Sequence, residues 1–175
     1  QLMGKGHSFC SDSDTEVIIH GYKEWGTKVF ERLDGMFAFA LWDKNKKLLY
    51  LVRDACGVKP LFYFYDGKVL VWSSELKGLL ASGLVERNIN LQSLSNFLSL
   101  SYIPNPETIL KNVRQLSPGT SLEFSGKGEP KSRKYWGLES LTFPDLSSLN
   151  PDQFDERFRE EVSIAVKGSL VSDVP

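Results

Sequence analysis

The chain has 175 residues, 41% of them hydrophobic and 25% charged, with a net charge of −1 at pH 7. That length fits one domain, or one domain plus the start of another, and that balance gives a globular chain rather than a disordered one. A near-neutral charge makes no electrostatic case for nucleic acid or an anionic membrane, and no apolar run reaches transmembrane length or reads as a signal peptide.

The elements follow in chain order. Ser13-Asp14-Thr15-Glu16 opens a helix with capping-box spacing between Ser13 and Glu16. Val17, Ile18, Tyr22 and Trp25 mark its apolar face, and Val29, Phe30 and Leu33 predict a second short helix ended by Gly35. Met36–Trp42 and Leu48–Val52 flank the polar turn 43–47 and predict a hairpin. Its first strand is apolar on both faces, with Phe37, Phe39 and Leu41 on one and Met36, Ala38, Ala40 and Trp42 on the other. Both faces are therefore expected to be covered. Leu61–Tyr65 and Val69–Trp72 form a second hairpin around Asp66-Gly67. The aromatic set Phe62, Tyr63, Phe64, Tyr65 and Trp72 reads as layer packing.

Ser74 is the expected cap of a short helix, Glu75–Leu80, and Asn90 that of another with Leu91, Leu94, Phe97 and Leu98 inside. Pro118-Gly119 marks a turn before a strand, Ser121–Phe124, and residues 137–149 read as a linker. Asn150-Pro151 starts a final helix with a Phe154, Phe158, Val162, Ala165 stripe. Gly168 within Lys167-Gly168-Ser169 weakens that helix and predicts an early end. Cys10, Cys56, His7 and His20 match no zinc or redox spacing, so no metal site is expected. Both cysteines are expected to be half-buried thiols. Gln1 is not a start residue and the chain stops at Ser172-Asp173-Val174-Pro175, so it is expected to be a segment of a longer protein.

Seven phrases, in order, resemble the glutamine-hydrolysing asparagine synthetase family. They are Ser13-Asp14-Thr15-Glu16-Val17, the run from Leu33 to Asp43, the run from Arg53 to Tyr63, Ser73-Ser74-Glu75-Leu76-Lys77, Leu116-Ser117-Pro118-Gly119, Tyr135-Trp136 and Ser172-Asp173-Val174-Pro175. The resemblance implies an α+β fold of N-terminal-nucleophile hydrolase type: two antiparallel sheets between helical layers, incomplete here. The first helix of an α/β ATP-pyrophosphatase domain is expected to follow. The implied domains are a class II glutamine amidotransferase domain at 1–136, a linker at 137–149 and the start of the synthetase domain at 150–175.

The implied activity is that of a cytoplasmic asparagine synthase. Glutamine hydrolysis supplies ammonia to an ATP-activated aspartate, with ATP and magnesium bound outside this chain and a homodimer allowed. Members of the family hydrolyse glutamine with an N-terminal cysteine whose own α-amino group is the base. No catalytic residue is therefore assigned here, and neither Cys10 nor Cys56 can take that place. Asp14 is the glutamine-binding residue implied by the resemblance, a carboxylate for the substrate's α-ammonium group. On the residues alone, Asp14 reads first as a first-turn acid favoured by the helix dipole.

Arg53 and Asp54 are expected to pair structurally, with Gly57 and Pro60 shaping the turn after them. Two other readings keep part of this. One is a glutaminase serving a different acceptor, in sugar-phosphate, polysaccharide or secondary-metabolite chemistry. The other is a non-catalytic module that retains the fold. The chain alone is expected to be inactive and to self-associate through uncovered apolar surface.

Overall fold

The computed structural model describes residues 1–141 and 149–170. It divides into two compact units, Gln1–Gly137 and Leu138–Pro175.

The first unit opens with a 3-10 turn, Met3–Lys5, and helix α1, Asp14–Trp25. Ser13 caps α1 by accepting from the Thr15 amide. The expected capping box does not close. Glu16 accepts instead from the Cys10 and Ser11 amides, both at 2.9 Å, and from Ser11 Oγ at 2.7 Å. Residues 10 and 11 present unpaired donors to Glu16, which therefore does not cap Ser13. Ile18, Gly21, Tyr22 and Trp25 form the inward face of α1, while Val17 is exposed. Gly21 is required there, because a Cβ would lie 2.5 Å from Val29 Cγ2. The second short helix is a 3-10 segment, Gly26–Arg32, which buries Val29 and Phe30.

Seven strands follow: β1 (Ala38–Asp43), β2 (Leu48–Arg53), β3 (Phe62–Tyr65), β4 (Leu70–Ser73), β5 (Val113–Gln115), β6 (Thr120–Phe124) and β7 (Lys131–Lys134). They form two antiparallel sheets, ordered β1-β2-β6-β7 and β4-β3-β5. β5 and β7 carry too few apolar residues to announce themselves in sequence. The β2 register decides the layering. Tyr50 and Val52 pack against Val29 and Phe30, whereas Leu49 and Leu51 meet Leu61, Leu70, Leu116 and Leu122 between the sheets. On the far side of the three-stranded sheet, Phe62, Phe64 and Val71 pack with Leu79, Val85 and Leu110. Helix α2 (Leu76–Ala81) lies in that layer. Ser74 does not cap it; Ser73 Oγ accepts from the Glu75 amide instead.

Three burial expectations are corrected. On β1 and just before it, Phe37, Phe39 and Leu41 are packed, but Ala40 is exposed and Trp42 is 51% exposed. β1 and β4 are outer strands, so their inner faces meet in an open apolar groove of about 410 Å³ lined by Trp42, Leu49, Leu70, Trp72 and Phe124. Helix α3 (Leu91–Leu100) turns most of its expected inner face outward: Leu91 is 72% and Leu98 75% exposed and Phe97 is exposed too, with Leu94 half-buried. Ser93 is the buried residue of that helix. The Asn90 amide bonds to Ile109 O and Ile89 bridges to Leu110, which sets the direction in which the chain enters α3. Both cysteines are exposed, not half-buried, because each sits in a loop outside the packed layers.

The second unit holds a 3-10 turn, Leu138–Ser140, and helix α4, Pro151–Ser169. Asn150 and Gln153 form a reciprocal capping box with proline in the first turn. Phe154 and Phe158 stack 6.4 Å apart between ring centroids, and no residue of α4 is buried. The helix does not end early: it runs through Gly168, and Ser169 Oγ donates to Ala165 O. Ser172-Asp173-Val174-Pro175 lies outside the described residues, as does most of the expected linker. Among the described residues, no helix is long and apolar enough to cross a membrane.

Candidate glutamine site

Asp14 stands on the first turn of α1 at the mouth of a cleft of about 350 Å³. Ile18, Met36, Phe37 and Pro60 supply apolar wall; Thr15, Lys59 and Ser74 supply polar groups. Thr15 Oγ1 donates to Asp14 Oδ1 at 3.4 Å, and among the described residues no cation pairs with Asp14. An exposed carboxylate with spare acceptor capacity beside a small, partly apolar cleft suits an amino-acid ammonium group. Lys59 and Ser74 lie across the cleft. In sequence, Lys59 belongs to the turn after Arg53-Asp54 and Ser74 to a helix start, and nothing local to either residue points at Asp14.

The wall carrying Lys59 and Pro60 is built by Arg53 and Asp54, which do not bond to each other. Arg53 Nε donates to Lys59 O at 2.8 Å, one terminal nitrogen to Leu116 O and the other to Gly57 O, both at 2.6 Å. Asp54 accepts from the Val58 and Lys59 amides, both at 2.9 Å. The expected pair is thus replaced by two separate clamps on one loop, which rigid side chains of opposite hydrogen-bonding character can provide. Burial lowers the Arg53 pKa, opposed by the charge of Asp54.

The same knot gathers two more phrases of the sequence. Gly119 N donates to Asp54 O, Gly119 O accepts from the Tyr135 and Trp136 amides, and Tyr135 Oη donates to Arg53 O at 2.6 Å. Burial raises the Tyr135 phenol well above its ordinary range, and the nearby Asp54 charge adds to the effect. Gly119 has φ +60°, and a Cβ there would lie 2.5 Å from Trp136 O. Three segments far apart in the chain therefore meet to hold one wall of the Asp14 cleft. Cys10 and Cys56 do not line it. Among the described residues, no cluster of histidine, cysteine and acidic side chains could hold a metal ion.

Asparagine synthetase [glutamine-hydrolyzing] 3 of Bacillus subtilis is 37% identical over all of this chain, which spans 28% of that protein's length. A putative asparagine synthetase [glutamine-hydrolyzing] 2 of Methanocaldococcus jannaschii is 36% identical over 93% of the chain and 32% of its own length. The amidase chry2 of Gibberella zeae is 33% identical over 95% of the chain and 24% of its own length. The chain thus spans about a quarter to a third of the length of these relatives. Residues 1–136 match the family model described as a glutamine amidotransferase domain, and the chain belongs to that family.

Proposed function

We propose that the chain is the glutamine-handling part of an asparagine synthase and that Asp14 receives the α-ammonium group of glutamine. The observation that carries the reading is the cleft: a carboxylate with no cationic partner among the described residues, beside a wall that Arg53 and Asp54 hold through hydrogen bonds to the 57–59 backbone. Membership of the glutamine amidotransferase family and the names of the relatives support glutamine as the nitrogen donor.

In the whole protein, an N-terminal cysteine outside these residues attacks the glutamine amide, with its own α-amino group as base. Cys10 and Cys56 lie within the chain and have no free α-amino group. The released ammonia then attacks an aspartate carboxyl activated by ATP, in a domain that begins near Asn150 and binds ATP and magnesium. The layered sheets of the first unit fit an N-terminal-nucleophile hydrolase.

The test compares nitrogen sources in the full-length protein. Asp14→Ala should lower kcat/KM for glutamine by about tenfold to a hundredfold, the loss of about 1.5–3 kcal/mol for one charge-assisted bond. Synthesis from free ammonia should be unchanged. Equal losses with both sources would make Asp14 a folding residue, and no loss would remove it from the site.

A second reading keeps the glutaminase and changes the acceptor. The similarity to a protein named as an amidase favours keeping it in view. Amide formation on aspartate by the full-length protein, with glutamine supplied, separates the two.

A further inference from the structure

On α1 and the loop before it, the two histidines form the middle of a hydrogen-bonded chain. His7 Nδ1 lies 3.1 Å from His20 Nδ1, His7 Nε2 3.2 Å from Glu24 Oε2, and His20 Nε2 3.3 Å from Glu16 Oε1. The two imidazoles are 17% and 16% exposed. Phe9 packs edge-on against His20. The charged groups facing the pair are Glu16 and Glu24 on α1 and Lys5 on the opening 3-10 turn, whose Nζ is 2.7 Å from Glu24 Oε1.

Proton counting sets the charge of this chain. An ionised carboxylate only accepts hydrogen bonds. The Ser11 hydroxyl and the Cys10 amide pull Glu16 down to about 2. Lys5, then His7, hold Glu24 below its ordinary range. Both Nε2 atoms must therefore donate. A neutral imidazole has one N–H, so two neutral rings would turn bare lone pairs toward each other across the 3.1 Å contact. One Nδ1 must carry a hydrogen as well, giving three protons on four ring nitrogens.

We infer that His7 and His20 share one excess proton between Glu24 and Glu16, and that this charged pair is a positioning device: it latches residues 7–13 onto α1 and so sets the approach to Asp14. Glu16 is the link, because the same carboxylate that faces His20 holds the Cys10 and Ser11 amides immediately before the Ser13 cap. The latch stands on this geometry alone; its consequence for glutamine rests on the role proposed above for Asp14. If the open loop leaves two neutral rings, closing takes up a proton. The latch then strengthens as pH falls and slackens as pH rises.

The test uses the full chain labelled with ¹⁵N at histidine, together with amide exchange at Cys10 and Ser11. Three N–H groups per pair are expected while both amides are protected. Raising the pH should remove one proton and speed exchange at both amides by about tenfold or more, beyond the intrinsic pH dependence of exchange. His20→Gln keeps a donor for Glu16 but cannot carry the charge. It should exchange fast at every pH, while the Leu51 and Val52 amides stay protected and report an intact sheet. Two or four N–H groups with a protected loop would overturn the inference, as would unchanged protection in His20→Gln. Neither readout involves glutamine. A confirmed latch whose opening leaves the glutamine KM of the full-length protein unmoved would overturn its role in setting the approach to Asp14, whereas Asp14→Ala tests the Asp14 assignment itself.

Discussion

Replacing Arg53 with methionine tests the organisation of the cleft wall. Arg53 is 6% exposed and gives three hydrogen bonds to main-chain carbonyls, of Lys59 at 2.8 Å and of Leu116 and Gly57 at 2.6 Å. Methionine retains most of the apolar stem, so the change isolates the donors. Bonds from a charged donor contribute about 1.5–3 kcal/mol each, and bonds sharing one group do not add fully. Water can reach part of the vacated space, which offsets some of the loss. The expected destabilisation is about 3–5 kcal/mol, against a total of about 5–15 kcal/mol for a domain. That lowers Tm by about 6–20 °C. Arg53→Lys should fall between wild type and Arg53→Met, because one ammonium cannot span three carbonyls. Urea unfolding followed by tryptophan fluorescence, with the denaturant slope unchanged, gives the number. A loss below about 1 kcal/mol for Arg53→Met would show that the carbonyls are satisfied without the guanidinium, and the account of the wall would fail.

Gly119→Ala should cost at least about 2 kcal/mol, since it combines positive φ with a main-chain clash. Gly67→Ala has positive φ but open space around it and should cost about 1–2 kcal/mol, so equal melting shifts for the two would contradict the close approach to Trp136. Glu16 has a depressed pKa of about 2 against an ordinary 4.5, so its contribution is present above 4.5 and is lost as pH falls toward 2. Acid titration of loop exchange should show that loss in wild type and not in Glu16→Gln. The open groove at Trp42 and Trp72 should bind a hydrophobic dye, and Trp42→Ser with Trp72→Ser should reduce the signal; no dye binding by the unaltered chain would mean the groove is covered in solution.

The sequence by itself determined the local elements and the family. Alternating and helical apolar spacing located α1, both hairpins, α3 and α4, and turn residues such as Asp66-Gly67 punctuated them, because these signals act within a few residues. The motif phrases identified a glutamine amidotransferase domain for the same reason: they are contiguous strings.

What faced what was decided only by tertiary structure. The two-faced apolar pattern of β1 could not reveal that β1 is an outer strand with Trp42 exposed, since sheet order depends on distant partners. The leucines of α3 read as a buried stripe, yet the way the chain enters that helix leaves Ser93 inside and Leu91 and Leu98 outside. Arg53 and Asp54 are adjacent in sequence with opposite charge and so read as a pair. The fold instead brings them the Leu116 carbonyl, and the Gly119 turn and Tyr135 from beyond it, and each acts on backbone rather than on its neighbour. His7 and His20 meet for the same physical reason: a helix and the loop before it bring together side chains thirteen positions apart, and no local pattern encodes that contact.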